Sequence, residues 1–282
     1  MNHSSFCIGS MSRDDFALAV DWAAAEGWNP GLDDPEVFYR TDPGGFLMGR
    51  IDDRPVSVIS AVRYGDSFGF IGFYIVDPEF RGQGFGLKTW DAAMALLGDR
   101  RIGLDGVVDQ QDNYRKSGFT LAHRNIRQEG RIAHKASNAH FIDPSELSVG
   151  MIMNFDSMFF PVSRPSFIEP WIQLSRGSAL ARVEDGRILS LGVIRECRSG
   201  WKIGPLFAET PDDAEDLFRA LQTRARLGEP FYLDTPEPNG DAVDLASRHQ
   251  MTPVFETARM YRGAAPEIDL RKVYGITTFE LG

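Results

Sequence analysis

The residues of this chain best suited to hold an anion are Arg81-Gly82-Gln83-Gly84-Phe85-Gly86. Glycines at 82, 84 and 86 let consecutive backbone N–H groups converge with no Cβ atom in the way. The helix-forming run Leu87 to Leu97 behind them adds the positive end of its dipole. Ahead of the loop, the apolar segment Phe70 to Val76 reads as a strand that enters a turn at Asp77-Pro78. Strand, nest and helix N-terminus in that order suit a pyrophosphate.

Spacing separates three nucleotide-binding readings of such a loop. The dinucleotide fingerprint G-x-G-x-x-G, started at Gly82, requires glycine at 87, where Leu87 stands. It also wants its first glycine at the strand end, and Pro78 to Arg81 intervene. Asp105, at the distance of a ribose ligand, is the one feature in its favour. A G-x-x-x-x-G-K-[ST] phosphate loop fails because Lys88-Thr89 follow Leu87 and not a glycine.

What remains is R-x-x-G-x-G at Arg81, Gly84 and Gly86, preceded by Val76-Asp77-Pro78. This resembles the acetyl-coenzyme A signature of the GNAT acetyltransferase superfamily, V-x-P-x-x-R-G-x-G-x-G. Downstream, Asn113-Tyr114-Arg115-Lys116-Ser117-Gly118-Phe119 is similar to the N-x-Y-x-K-x-G-F element that ends the same domain. The two motifs, in order and properly spaced, carry the resemblance together. It implies an α/β fold, a central mixed β-sheet flanked by helices, and acetyl-coenzyme A as donor. The diphosphate would lie on Arg81, Gly82, Gln83, Gly84, Phe85 and Gly86, and the pantetheine arm along Ile75 and Val76, with Asn113 beside it. A main-chain N–H near Tyr74 to Val76 would polarise the substrate carbonyl, and Tyr114 would give a proton to the leaving thiolate.

Composition is consistent with this. At 282 residues the chain exceeds one typical domain, and 43% hydrophobic with 25% charged residues is the balance of a water-soluble globular protein. The N-terminus lacks a basic region followed by an apolar one, and no apolar run reaches spanning length. A cytoplasmic protein without a membrane partner is expected. Cys7 and Cys197 are too few for a disulfide framework, and the five histidines never fall at metal-ligand spacing, so no metal is expected. A net charge of −10 argues against nucleic acid and favours a cationic acceptor such as an amine. Nothing in the sequence fixes an oligomeric state.

The chain also repeats itself. Asp53 and Asp185, Arg63 and Arg195, Ser67 and Ser199, Gly72 and Gly204, and Arg127 and Arg259 are each separated by 132 residues. Two hairpin strands after an acidic turn accompany the matches, D-D-R-P-V-S-V-I-S-A-V-R in one half and D-G-R-I-L-S-L-G-V-I-R in the other. We therefore expect two tandem acyl-coenzyme A N-acyltransferase folds, a catalytic one over 1–140 and a degenerate one over 141–282 with a C-terminal tail. At this level the whole chain resembles tandem bacterial GNAT proteins.

In the first copy, helices are expected over Ser12 to Gly27, from Pro35 to Arg40, over Leu87 to Leu97 and around Asn113 to Ser117. Strands are expected at Phe46 to Ile51, Pro55 to Tyr64, Phe68 to Val76, Ile102 to Val107, Thr120 to Arg127 and Ile132 to Ala136. A linker at Phe141 to Leu147 leads to a helix carrying Phe155 to Pro161. By the repeat offset Arg81, Gln83, Gly84 and Gly86 become Asp213, Glu215, Asp216 and Phe218. Carboxylates would stand where a diphosphate belongs, so the second copy should not bind coenzyme A.

The acceptor side is less defined. The strand before the loop has Phe70, Ile71, Gly72, Phe73 and Tyr74, and no carboxylate until Asp77. Asp33 and Asp34 follow the turn Trp28-Asn29-Pro30-Gly31. They are either acceptor-side acids or helix-capping residues. Trp28, Asn29, Tyr74 and Arg164 are the remaining acceptor candidates, each with a structural alternative as a core-edge, turn or ion-paired residue. In the tail, Glu280 or the carboxylate of Gly282 would be the missing base if the tail reaches the cleft. The expected activity is acetyl transfer to the primary amine of a small molecule of the amino acid, polyamine or amino sugar type. Alternatives are a non-catalytic acyl-coenzyme A sensor and a protein lysine or N-terminal acetyltransferase.

Overall fold

The computed structural model describes residues 5–134 and 139–282. The first half contains β1 (Phe6–Ser10), α1 (Arg13–Ala25), α2 (Asp34–Thr41), β2 (Phe46–Ile51), β3 (Arg54–Tyr64), β4 (Phe68–Val76), α3 (Phe85–Leu97), β5 (Arg101–Val107), α4 (Gln111–Lys116) and β6 (Thr120–Arg131). The second half contains α5 (Val149–Asp156), α6 (Pro165–Trp171), β7 (Gly177–Glu184), β8 (Arg187–Glu196), β9 (Trp201–Ala208), α7 (Pro211–Gln222), β10 (Pro230–Pro236), α8 (Gly240–Arg248), β11 (Thr252–Arg262) and β12 (Val273–Gly275). The succession β2 to β6 recurs as β7 to β11, which is the repeat seen in the sequence.

Period-two alternation on the central strands feeds two cores. Phe46, Met48, Val58 and Val62 face α1, α2 and α6, whereas Leu47, Ile59 and Ala61 face Trp90, Ala93 and Leu97 of α3. Helix α1 starts where Ser12 and Asp15 form a reciprocal capping box and runs to Ala25, short of Gly27. Helix α3 begins at Phe85, inside the glycine loop, because left-handed Gly84 acts as its N-cap. Helix α4 begins at Gln111.

Two expectations are corrected. Strands expected at Thr120 to Arg127 and Ile132 to Ala136 are one strand, β6, ending at Arg131. Ile132 to His134 are not strand, and Lys135 and Ala136 lie outside the described residues. Gly130 lies within the ladder of β6, opposite Phe231. A Cβ there would come within 2.8 Å of the Phe231 ring and 2.9 Å of the Met251 side chain, so its role is to make room. The helix expected to carry Phe155 to Pro161 is α5, which stops at Asp156.

The strands form one mixed sheet in the order β1-β2-β3-β4-β5-β11-β6-β10-β9-β8-β7, with β12 paired to β9. The last strand of each repeat is thus exchanged: β11 lies between β5 and β6, and β6 between β11 and β10. Buried ion pairs fix the exchange. Arg127 on β6 holds Asp234 on β10 with two bonds of 2.7 and 2.8 Å, and Arg259 on β11 holds Asp105 on β5 with two of 2.9 and 2.6 Å. The repeat-related arginines therefore reach across to aspartates of opposite halves. Asp105, whose spacing suited a ribose, is committed to the sheet.

Parallel pairing is short in both copies. Strands β4 and β5 pair only over Phe68 to Ile71 with Arg101 to Leu104, and β9 and β10 only over Trp201 to Ile203 with Phe231 to Leu233. Beyond those points the strands diverge and leave a wedge. In the second copy β12 enters it, with Val273 opposite Phe207 and the Ile276 N–H donating to the Asp234 carbonyl at 2.9 Å. Burial alone pushes the Asp234 carboxyl up, but the Arg127, Lys202 and Arg195 charges outweigh it and hold it below the usual carboxylate range.

Truncating one member of the Arg127–Asp234 pair leaves a buried charge without its partner. Arg127→Ala is therefore expected to lower unfolding stability by about 3–5 kcal/mol, read from the urea midpoint. The double variant Arg127→Met with Asp234→Leu, which removes both charges, should recover most of that loss.

Candidate active site

The glycine loop is shaped by local chemistry. Asp77 caps the single 3-10 turn Pro78–Phe80 by accepting from the Glu79 N–H at 2.9 Å. Arg81 turns back, with Nε donating to the Val76 carbonyl at 2.9 Å and its other end paired with Glu26, so the loop is tied to the end of β4. Gln83 donates to the Glu79 carbonyl at 2.9 Å. Gly82 and Gly84 have φ of +75° and +83°, and a Cβ on either would meet nothing within 4 Å, so their requirement is conformational. Gly86 is different: a Cβ would come within 2.9 Å of both the Tyr74 hydroxyl and a Val76 methyl.

The N-terminus of α3 carries no side-chain cap, and its first helical bond runs from the Lys88 N–H to the Gly84 carbonyl. The N–H groups of Phe85, Gly86 and Leu87 are thus left for an external acceptor. An open groove of about 580 Å³ lies there, lined by Ile75, Val76, Arg81, Gly82, Gly84, Gly86, Leu87 and Trp28 among others. The residues present fit a diphosphate bound through backbone N–H groups. By contrast, α7 satisfies its own N-terminus. Thr210 accepts from the Asp213 N–H, acidic Asp212 and Asp213 fill the first turn, and Arg182 pairs with Asp213.

Two further spaces share lining residues with the groove, Tyr74 and Gln110 among them. One, of about 300 Å³, is lined by Tyr74, Leu87, Trp90, Gln110, Asn113 and Tyr114. The other, of about 70 Å³, is the wedge between β4 and β5 itself, bounded by Gly72, Tyr74, Asp105, Tyr114 and Trp28 and closed by Phe255, Thr257, Phe279 and Glu280 of the second half. Tyr74 borders all three spaces and Tyr114 borders the inner two. The Tyr114 ring packs against Gly106, where a Cβ would stand 2.4 Å away, and lies 5.4 Å from the Trp90 ring. Burial, with Tyr74 beside it, pushes the Tyr114 phenol above its ordinary range. Tyr74 is pushed up to about 12 by burial and then by Asp91. A phenol held neutral by burial is in the state that can donate a proton.

Of the acceptor-side residues named from sequence, Trp28, Tyr74 and Glu280 border the wedge, whereas Asn29, Asp33, Asp34 and Arg164 are engaged elsewhere. The Asn29 amide bridges the main chain of Ser199 through two 2.9 Å bonds, and its carbonyl accepts from Lys202 Nζ. Asp33 accepts from Ser175 and the Arg176 N–H. Asp34 is buried against Arg195 and the Gly31 N–H. Arg164 holds Asp156 with two 2.9 Å bonds and also donates to Thr277 Oγ1 at 3.1 Å and the Gly282 oxygen at 2.8 Å. Asn113 lines the middle space and donates to Gln110. Phe255, Thr257, Phe279 and Gln110 were not singled out from sequence. The first three arrive through strand exchange and the tail, which leave no local signal.

No described helix is long and apolar enough to cross a membrane, and among the described residues no cluster could hold a metal ion. Among solved structures, a putative acetyltransferase from Pyrococcus horikoshii superposes with a TM-score of 0.84 at 21% identity, covering 100% of this chain and 98% of its own. A tandem GNAT protein from the clavulanic acid biosynthesis pathway gives 0.63 at 13% identity, covering 93% and 100%. These likenesses define the fold as a tandem GNAT arrangement. Residues 14–119 match the acetyltransferase (GNAT) family, and residues 152–275 match an acetyltransferase (GNAT) domain. A holothin acyltransferase from Pseudoalteromonas sp. (strain SANK 73390) is 29% identical over 282 residues, covering 99% of this chain and 96% of that protein. The chain belongs to the GNAT acyltransferases, as a member built from two copies of the fold.

Replacing Gly84 with glutamate places a side chain at φ +83° and a negative charge at the open helix N-terminus. Calorimetric titration with coenzyme A is expected to give one site per wild-type chain and no measurable binding for Gly84→Glu, with the far-ultraviolet spectrum unchanged.

Proposed function

We propose that this protein is an acetyl-coenzyme A-dependent N-acetyltransferase that acts on the primary amine of a small molecule. The observation that carries the reading is the succession of adjoining spaces from the uncapped N-terminus of α3 to a wedge bordered by Tyr114, with Tyr74 lining each of them. Bound acetyl-coenzyme A would supply an activated thioester carbonyl. The chain's own residues would hold the diphosphate on N–H groups of Gly84 to Leu87, line the pantetheine path with Ile75 and Val76, and offer the Tyr114 hydroxyl as proton donor.

A small acceptor is supported by the closure of the wedge. Phe255, Phe279 and Glu280 border the wedge, and the space left is about 70 Å³. The relative named for acting on holothin supports a small-molecule acceptor as well. An amine of the amino acid, polyamine or amino sugar type fits the acidic wall formed by Glu280. Since the donor is held in the cytoplasm of cells, the reading carries a cytoplasmic site of action. The alternative of a non-catalytic acyl-coenzyme A sensor draws on the lack of a carboxylate along Phe70 to Tyr74.

Release of free thiol with a panel of amino acids, spermidine and glucosamine separates the two, because a sensor binds the donor without turnover. With an accepted amine, Tyr114→Phe is expected to lower turnover by about 10²-fold with donor affinity little changed. Unchanged turnover would assign Tyr114 to packing alone.

A further inference from the structure

We propose that Glu280 is the catalytic base of the N-terminal centre, taking the proton from the acceptor's ammonium. The inference rests on the N-acetyltransferase reading above. An alkylamine, with a pKa of about 10, is protonated at neutral pH and has no lone pair until that proton leaves. In this step an N–H bond breaks, its electron pair stays on nitrogen, and an O–H bond forms on the carboxylate. Ammonium and carboxylate become amine and carboxylic acid, and the acid returns its proton to solvent before the next turnover.

Among the described residues, only two carboxylates border the wedge, Asp105 and Glu280. Asp105 is engaged on both oxygens by Arg259 and also accepts from Asn125 at 2.8 Å. Glu280 is buried to 5% exposure, and among the described residues its side chain has no ion pair or hydrogen bond. It is therefore the carboxylate left with free lone pairs in the wedge that Tyr114 also lines.

Its placement is rigid. The Glu280 main-chain oxygen would lie 2.2 Å from a Cβ on Gly72, so the tail crosses β4 where only glycine admits it. On one side Arg164 donates to Thr277, and on the other the Tyr64 hydroxyl donates to the Leu281 carbonyl at 2.9 Å. The Leu281 N–H donates to Thr278 Oγ1 at 2.9 Å. Both flanks of Glu280 are thus pinned, as a general base requires.

The charged and titratable groups around it come from several elements: Lys202 on β9, Arg127 on β6 with its partner Asp234 on β10, Arg195 on β8 with Asp34 on α2, and Tyr74, Tyr114 and Asp105 across the wedge. Burial raises the carboxyl, Lys202 opposes it, Asp34 adds to it, and Arg127 and Arg195 oppose it. The balance lies above the ordinary carboxylate value. A raised carboxyl is a stronger base, closer to the working pH.

The test uses the full chain and two readouts. In carbon-13 spectra of protein labelled at glutamate carboxyls, one resonance is expected to titrate above the ordinary glutamate range and to be missing from Glu280→Gln. If no such resonance exists, the proposal falls independently of any activity. With acetyl-coenzyme A and glycinamide, glucosamine or spermidine, the wild-type rate should fall as pH drops through that titration. Glu280→Gln should be slower by about 10²-fold at pH 7 and recover as the free-amine fraction grows toward pH 10. A near wild-type rate and profile in Glu280→Gln overturns the base assignment alone. Thiol release by no amine from wild-type protein that binds the donor overturns the acetyltransferase reading and this proposal with it. Should Glu280→Gln lose donor binding, Glu280→Asp keeps the charge and is expected to retain the wild-type pH profile at reduced rate. An altered profile there overturns the proposal.

Discussion

The structure depends on two repeat-related buried charge pairs that cross between halves of the chain. Arg127 and Arg259 occupy equivalent positions in the repeat, and each finds its aspartate on the other copy's strand. Buried charges are costly without a partner, so neither β6 nor β11 can leave the opposite copy without stranding an ion. The strand exchange therefore joins two folds into one continuous sheet. It also carries Phe255 and Thr257, residues of the second copy, to the wedge of the first.

The tail depends on that arrangement. It leaves β11, threads the second wedge as β12, and continues over the β4 side of the first. Gly72 and Gly204, an equivalent pair, are both bare for this reason. A Cβ on Gly204 would lie 2.6 Å from the Thr277 oxygen, as one on Gly72 would meet Glu280. Arg164 secures the same segment, with its guanidinium 3.9 Å from the centre of the Phe160 ring and its donors spent on Asp156, Thr277 and Gly282. One stretch of backbone thus walls the wedge of the first copy and fills the corresponding space in the second.

What could be read from sequence was what is local. The glycine loop, the helix behind it and the Asn113-Tyr114 element lie within short stretches whose backbone demands show in residue type. The repeat showed because hairpins and glycines recur at one offset. The acceptor side did not, because its residues are partnered across the chain. Asp34 meets Arg195, Asn29 meets Ser199, and Arg164 meets the tail, and none of these separations leaves a periodic trace. Asp33 and Asp34 read equally as acceptor-side acids and as capping residues. Asp34 proves to be an ion-pair member that also fixes the Gly31 turn.

The occupied wedge of the second copy bears on how a duplicated protein of this kind can change. Losing a glycine loop to Pro211-Asp212-Asp213 is reversible in principle, since a few substitutions would restore the bare helix end. Filling the wedge with Val273 to Ile276 is not reversible in the same way, because the inserted backbone is hydrogen-bonded to Asp234 and buried against Leu206 and Leu233. A lineage that regained the loop would still have no slot for a donor. To reopen it, the tail would have to be released, and the first copy would lose the wall on which Glu280 stands. The two halves are tied by a shared piece of chain: the first wedge keeps this wall only while the second stays filled.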